Sequence, residues 1–509
     1  MQVDVFENPS QVMRQLSEKL PQLDHLDLSG TNLPGVLHGS YEKDALPGWP
    51  SDRRLSFLGL WACPSYACRR ENLPAYRIAG DANEAQLLAA LDAYAERPQA
   101  TCTILRSLIN AVSRETLQSK QRCLQLLLER MQRYSRHKLM QISSAELLLY
   151  LIDRVIGFEN ISSLHVQQVV QRLTDTLEHF PEEDVVRVCS ATLSKVRAYD
   201  EFICISKRLV QVLLRIAEHE SSAAAPLIFT FDLLRHIVRQ LSVPEKHMFG
   251  DVGGVRVALA ILERNLQDED HVQDSAVFDS GWCLLCSATD ETPANCRVFV
   301  ERGGLELFVR YIKRSPGDNE LYHTMLILVG NVAEVKSLRG YLKNDQLIAI
   351  FLELLSITDA NELSYNTACV LSHMLADGED LWHYKGGCDD APLPPVALEY
   401  SRAAIGERIV ASIDRWNPND EFFVAFLSLL PILSLITKFD SLASQYWAAW
   451  TLNNLTLVDP EKYCPMFLRE AALDFLDTMI ADTRSPDKLR HWMMLTADRI
   501  REYLREQAP

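Results

Sequence analysis

Asp290, Asn331 and Glu334 are the residues whose types and spacing suggest chemistry. A protonated amine is held by two or three oxygen acceptors in a fixed arrangement, and two carboxylates with an amide oxygen supply them. Asn331 and Glu334 stand three residues apart and share a helix face, while Asp290, just before Pro293, falls near a helix end. A carboxylate there opposes the helix dipole, a cost that a cationic ligand would offset. The alternative is that Asn331 braces adjoining helices and both acids are solvated. Trp447 and Trp450, with Asn453 and Asn454, could grip an extended peptide backbone, although the same spacing fits a packed core. His373 reads either as a ligand contact or as a satisfied groove residue. Cys283 and Cys286 have the C-x-x-C spacing of zinc and redox sites, yet no second pair accompanies them, and two buried thiols on one helical turn are the plainer reading. Phosphate-binding loops, H-E-x-x-H, G-x-S-x-G and dinucleotide fingerprints are missing, so no enzyme, cofactor or metal chemistry is expected.

For acceptors so far apart in sequence to meet, repeated elements must stack. Ser287, Asn331, His373 and Asn454 each sit in an aliphatic helical stretch, at steps of 44, 42 and 81 residues. A period near 42 is the armadillo/HEAT length, in which inner helices line a concave groove and matched polar residues form a ladder along it. The helical period begins near Asp81, where Asp81-Ala82-Asn83-Glu84 resembles a capping box, and runs through sets such as Leu147, Leu148, Leu151, Ile152 and Val155 or Leu209, Val210, Leu213, Leu214 and Ile216. A break is expected between Asp377 and Pro395, where Gly386, Gly387, Pro392 and Pro394 gather. The first 75 residues differ: Leu23, Leu26, Leu28, Thr31 and Leu33 follow a leucine-rich-repeat spacing, repeated 32 residues on by Leu55, Leu58, Leu60 and Cys63. No alternating strand is expected after residue 75. The expected fold is mainly α: residues 1–75 a partial leucine-rich-repeat (α/β) remnant, residues 81–509 an armadillo/HEAT-like α-solenoid.

The 509 residues, 48% apolar and 23% charged, exclude wholesale disorder. With 20 Gly and 22 Pro the chain is poor in turn formers, which favours long helices. A net charge of −17 argues against nucleic acid and favours basic or amine-bearing partners. The longest apolar run, Phe422 to Ile436, is broken by Ser428, Pro431 and Ser434 and reads as buried helix, so no membrane contact is expected. No secretory signal opens the chain, and 12 scattered cysteines suggest a reducing cytoplasmic or nuclear setting.

Several blocks together resemble the Zyg-eleven/Zer family of substrate receptors for cullin-two ubiquitin ligases, closer to the Zer branch. They are Arg54-Leu55-Ser56-Phe57-Leu58-Gly59-Leu60, Gly80-Asp81-Ala82-Asn83-Glu84, Thr289-Asp290-Glu291-Thr292-Pro293, Gly330-Asn331-Val332-Ala333-Glu334-Val335, Ser364-Tyr365-Asn366 and Lys462-Tyr463-Cys464-Pro465. The resemblance implies a non-catalytic receptor whose armadillo-like domain binds proteins through an exposed N-terminal glycine or other small residue. Asp290, Asn331 and Glu334 match the residues that hold the terminal amine. Cys286 stands where the family has Trp and Ser287 where it has Asn, so the two would shape a wider floor and alter selection of the first residue. The elongin adaptor and cullin-two are implied partners through an N-terminal box that nothing before residue 20 matches. The alternative is an armadillo-type peptide-binding scaffold without ligase coupling.

Overall fold

The computed structural model describes residues 5–35, 46–64, 67–112, 117–156, 162–196, 203–219, 224–267, 275–358, 360–382, 400–420, 422 and 426–507. Contacts divide the chain into two compact units, 1–233 and 234–509.

The first unit opens with a three-stranded parallel sheet, β1 (His25–Asp27), β2 (Leu55–Gly59) and β3 (Ala75–Ala79), in that order. Leu26 pairs with Leu58 and Leu58 with Ile78, so the leucines at matching places in successive turns share one side. Leu28, Leu33, Leu55, Leu58 and Leu60 are buried there with Trp49 and with Met13 of the helix Pro9–Lys19. Arg53 pins the end of that helix by donating to the backbone oxygens of Ser17, Leu20 and Leu23. β3 corrects the expectation that strands end by residue 75. Its sequence, Ala-Tyr-Arg-Ile-Ala, lacks the alternation that marks a strand, and pairing with β2 and packing against the helix Glu84–Ala93 organise it. The first helix after the sheet, Glu84–Ala93, is capped by Asn83, whose side chain accepts from the Gln86 N–H. Asp81, the expected cap, instead accepts from the Cys68 thiol. Helices Pro98–Val112, Lys138–Tyr150 and Glu183–Lys195 then pack in succession, burying Leu147, Leu148 and Leu151 as the period requires. The side chain of Val155 lies outside the described residues.

The second unit repeats short, middle and long helices. The long ones are α1 (Ser275–Thr289), α2 (Asn319–Glu334), α3 (Asn361–Leu375), α4 (Leu442–Val458) and α5 (Asp487–Glu506), each packed on the next. This is a mainly α solenoid. The joint between short and middle helices carries a second repeat signature. Phe249 precedes Gly253-Gly254 as Phe299 precedes Gly303-Gly304, and Phe467 precedes Ala471-Ala472 at the same spacing. The first residue of each pair has a left-handed backbone, with φ of 90°, 82° and 53°. In the two glycine pairs the second lets the next helix start against the ring: a Cβ at Gly254 would lie 2.2 Å from Phe249 and one at Gly304 2.4 Å from Phe299. Among the described residues of the Phe422–Ile436 run the helix is Leu430–Ile436, with Pro431 in its first turn, where no N–H is needed. The expected break after Asp377 falls largely on residues 383–399, outside the described set.

Candidate functional site

Stacking places α1 and α2 side by side, and the end of α1 is where Asp290 is fixed. The Asp290 N–H donates to the Cys286 oxygen at 3.2 Å, and Glu291, with φ of 54°, reverses the chain into the helix Pro293–Glu301. The Asp290 carbonyl accepts from Thr292 Oγ1 at 3.0 Å and from Lys246 Nζ at 3.2 Å. The same ammonium lies 3.2 Å from Asp290 Oδ2, and the lysine side chain is only 4% exposed. The cation that a carboxylate at a helix C-terminus calls for is therefore partly supplied from within. Asn295 holds that arrangement, its Nδ2 donating to the Lys246 oxygen at 2.9 Å and to the Ala288 oxygen at 2.7 Å.

Asn331, on α2, faces back toward α1. Its Nδ2 donates to the Cys286 oxygen at 3.2 Å and to Thr289 Oγ1 at 3.1 Å, so its amide oxygen is the end left to accept from a ligand. Asn331 thus both braces two helices and offers an acceptor, joining two readings the sequence kept apart. Glu334 is the last residue of α2. Its backbone oxygen takes a hydrogen bond from Arg339 at 3.3 Å, and among the described residues no donor is bonded to its carboxylate. Burial, then the nearby Asp290 and Glu291 carboxylates, push Glu334 up to about 8, against the pull of Arg339. Arg339 is itself anchored by a 2.7 Å pair with the buried Asp377.

Asp290, Asn331, Glu334, Cys286 and Ser287 line one cavity of about 430 Å³. Ser287 donates to the Cys283 oxygen at 3.0 Å. Cys283 and Cys286 both face the cavity half-buried, instead of being buried as the plainer reading expects, and burial raises the Cys286 thiol well above its ordinary range. Among the described residues no three His, Cys, Asp or Glu side chains are grouped to hold a metal. An apolar side of the cavity is formed by Leu326, Ile327, Phe426, Leu427 and Pro431.

The expected groove contacts His373, Trp450 and Asn454 are not among the residues lining this cavity. His373 is 1% exposed and lies edge-on to Trp447, with neither ring nitrogen hydrogen-bonded. Trp450 is buried among Tyr365, Trp416 and Phe422. Asn454 braces a turn, donating to the oxygens of Pro418 at 2.8 Å and Asp420 at 2.9 Å. In their place the third helix contributes Asn366 and Cys369. Lys246, which sequence reasoning also missed, precedes Asp290 by 44 residues, one repeat, and that spacing was its only signal.

A family model described as "Protein zer-1 homolog-like, C-terminal domain" matches residues 128–502. Protein zer-1 homolog of Mus musculus is 32% identical over 490 residues, covering 93% of this chain and 60% of that protein. Its Drosophila melanogaster counterpart is 30% identical over 531 residues, covering 93% and 64%. Zyg eleven-related protein 1 of Caenorhabditis elegans is 29% identical over 519 residues, covering 99% and 56%. The chain thus spans about three fifths of the length of these curated relatives. No described helix is long and apolar enough to cross a membrane.

Proposed function

The chain belongs to the family of zer-1 homologues, and from that premise we propose that it is the substrate-recognition subunit of a cullin-RING ubiquitin ligase. It takes up proteins by an exposed N-terminus, glycine or another small residue, in the cavity between α1 and α2, and catalyses no chemistry itself. The observation that carries this reading is an imbalance of acceptors. Three carboxylates, Asp290, Glu291 and Glu334, and the free oxygen of Asn331 share this cavity with one buried cation, Lys246, and the Glu334 carboxylate has no bonded donor among the described residues. Arg235 and Arg239 also line the cavity, but the first is only half-buried and the second is exposed. A chain-terminal ammonium supplies three N–H donors and the missing positive charge. A side-chain ammonium would have to bring a long flexible stem into the same hollow, whereas a chain start brings a compact one. Cys286 and Ser287 are small, so the floor beneath the first residue admits more than hydrogen at its α-carbon.

Fluorescence anisotropy with peptides beginning in free or acetylated glycine, on the wild type and Asp290→Ala, tests the amine site. Acetylation and the substitution should each weaken binding at least about tenfold, the loss of a charge-assisted contact. Equal affinity for both peptides would end the amine reading. Ligase coupling requires elongin and cullin-two as partners, and their co-purification with the chain from cells checks it.

A further inference from the structure

Among the described residues an amide on the wall of this cavity has a nitrogen without a partner. Asn366, on α3, is 3% exposed and lines the cavity, and among the described residues its amide nitrogen bonds to nothing. Buried amide donors are almost always paired, because leaving water without a replacement partner is unfavourable. The nitrogens of its neighbours are differently served: Asn331 has two acceptors and Lys246 has two oxygens of Asp290. α3 packs directly on α2 at Gly330, where a Cβ would lie 3.8 Å from the Cys369 sulphur, so the Asn366 carboxamide stands one helix beyond the amine acceptors along the same hollow. A chain entering by its N-terminus between α1 and α2 presents its next peptide groups there.

We propose that Asn366 is a ligand-binding residue that pairs with the main chain of the bound peptide one peptide group beyond the terminal amine site. A carboxamide carries one acceptor and two donors on adjacent atoms, the complement of a peptide N–H and C=O, and rotation about its last bond lets either end face the ligand. It reads no side chain, so it adds affinity for any extended chain start without choosing among sequences. This inference rests on the reading that a peptide start occupies the cavity, but it does not depend on the amine being what selects it.

The test is Asn366→Leu, which removes the unpartnered amide and keeps a branched side chain of similar outline. Its expected signature is a pair of opposite signs: the melting temperature of the ligand-free protein rises, and affinity for fluorescein-labelled peptides falls at least about fivefold, as for one lost hydrogen bond. The fall should be the same factor for free and acetylated glycine peptides. An ester in place of the second amide should weaken binding to the wild type and not to the variant. If stability and affinity fall together, Asn366 is structural and the proposal fails; if affinity is unchanged, it fails as well. Should leucine prevent folding, Asn366→Ala and the ester pair carry the same decision. Loss of discrimination between free and acetylated peptides in the wild type would overturn the amine reading alone, leaving the Asn366 result intact.

Discussion

The raised Glu334 makes capture of an amine depend on pH in a way that can be calculated. To pair with an ammonium the carboxyl group must be ionised, yet in the empty cavity it holds its proton up to about pH 8. The peptide's own amine has an ordinary pKa of about 7.7–8.0 and must stay protonated. Affinity therefore follows the product of two fractions, ionised Glu334 and protonated amine, which move in opposite directions. With both midpoints near pH 8, binding should strengthen about eightfold from pH 6 to pH 7, peak near pH 8 and weaken about threefold by pH 9. At neutral pH, releasing the Glu334 proton costs about 1.4 kcal/mol of the binding free energy. Anisotropy titrations with a glycine peptide in one constant-ionic-strength buffer series measure the profile. Glu334→Gln should erase the rising limb and leave only the fall above pH 8. Affinity that stays flat between pH 6 and 7 in the wild type would refute the assignment of Glu334 to the ammonium.

Two further outcomes follow from residues around the site. Burial first, and Arg339 second, depress His373 from 6.5 to about 3. The unfolded chain takes up this proton near 6.5 and the folded chain refuses it until about 3, so stability is full above the upper value and falls with acidification through that window, by up to about 1.4 kcal/mol per pH unit. His373→Leu should flatten the fall in urea melts recorded between pH 6 and 4; an unchanged pH dependence would contradict a buried neutral ring. At the cavity floor, Cys286→Trp should occupy space now open beneath the first residue. Peptides starting with alanine or serine should lose affinity relative to glycine by about fivefold or more, read by competition, and an unchanged ratio would remove Cys286 from the floor.

How far the sequence spoke for itself differs from residue to residue. That Asp290, Asn331 and Glu334 come together was legible, because a period near 42 and a spacing of three put them on facing turns. His373 failed although it lies two turns along the same side of α3 as Asn366. Periodicity gives the face of a helix but not the point at which the next helix closes over it, and there Trp447 covers the imidazole. Of the two readings of Trp450 the packed core is the one observed, and Asn454 is sealed with it beneath the segment that follows Ile413. The Phe-Gly-Gly joints were in plain sight at a spacing of 50 residues between Phe249 and Phe299, yet a repeat traced through polar residues on long helices passes them by. Only when a left-handed backbone and a ring under the next helix are seen together does that signature acquire a physical cause. β3 had no internal pattern to read, since its neighbouring strand and the helix Glu84–Ala93 organise it.

The orientation of one amide has a wider consequence. Because both hydrogens of the Asn331 carboxamide are committed to Cys286 and Thr289, it cannot turn over to offer a donor, and Asp290 and, once ionised, Glu334 stand in the same cavity as further acceptors. A chain end bearing a carboxylate would meet the Asn331 oxygen and these acids where an ammonium finds acceptors, and the buried Lys246 ammonium is already held by Asp290. The hollow is thus polarised toward one terminus of a polypeptide, and freshly cut proteins would be sorted by which side of the cut they carry.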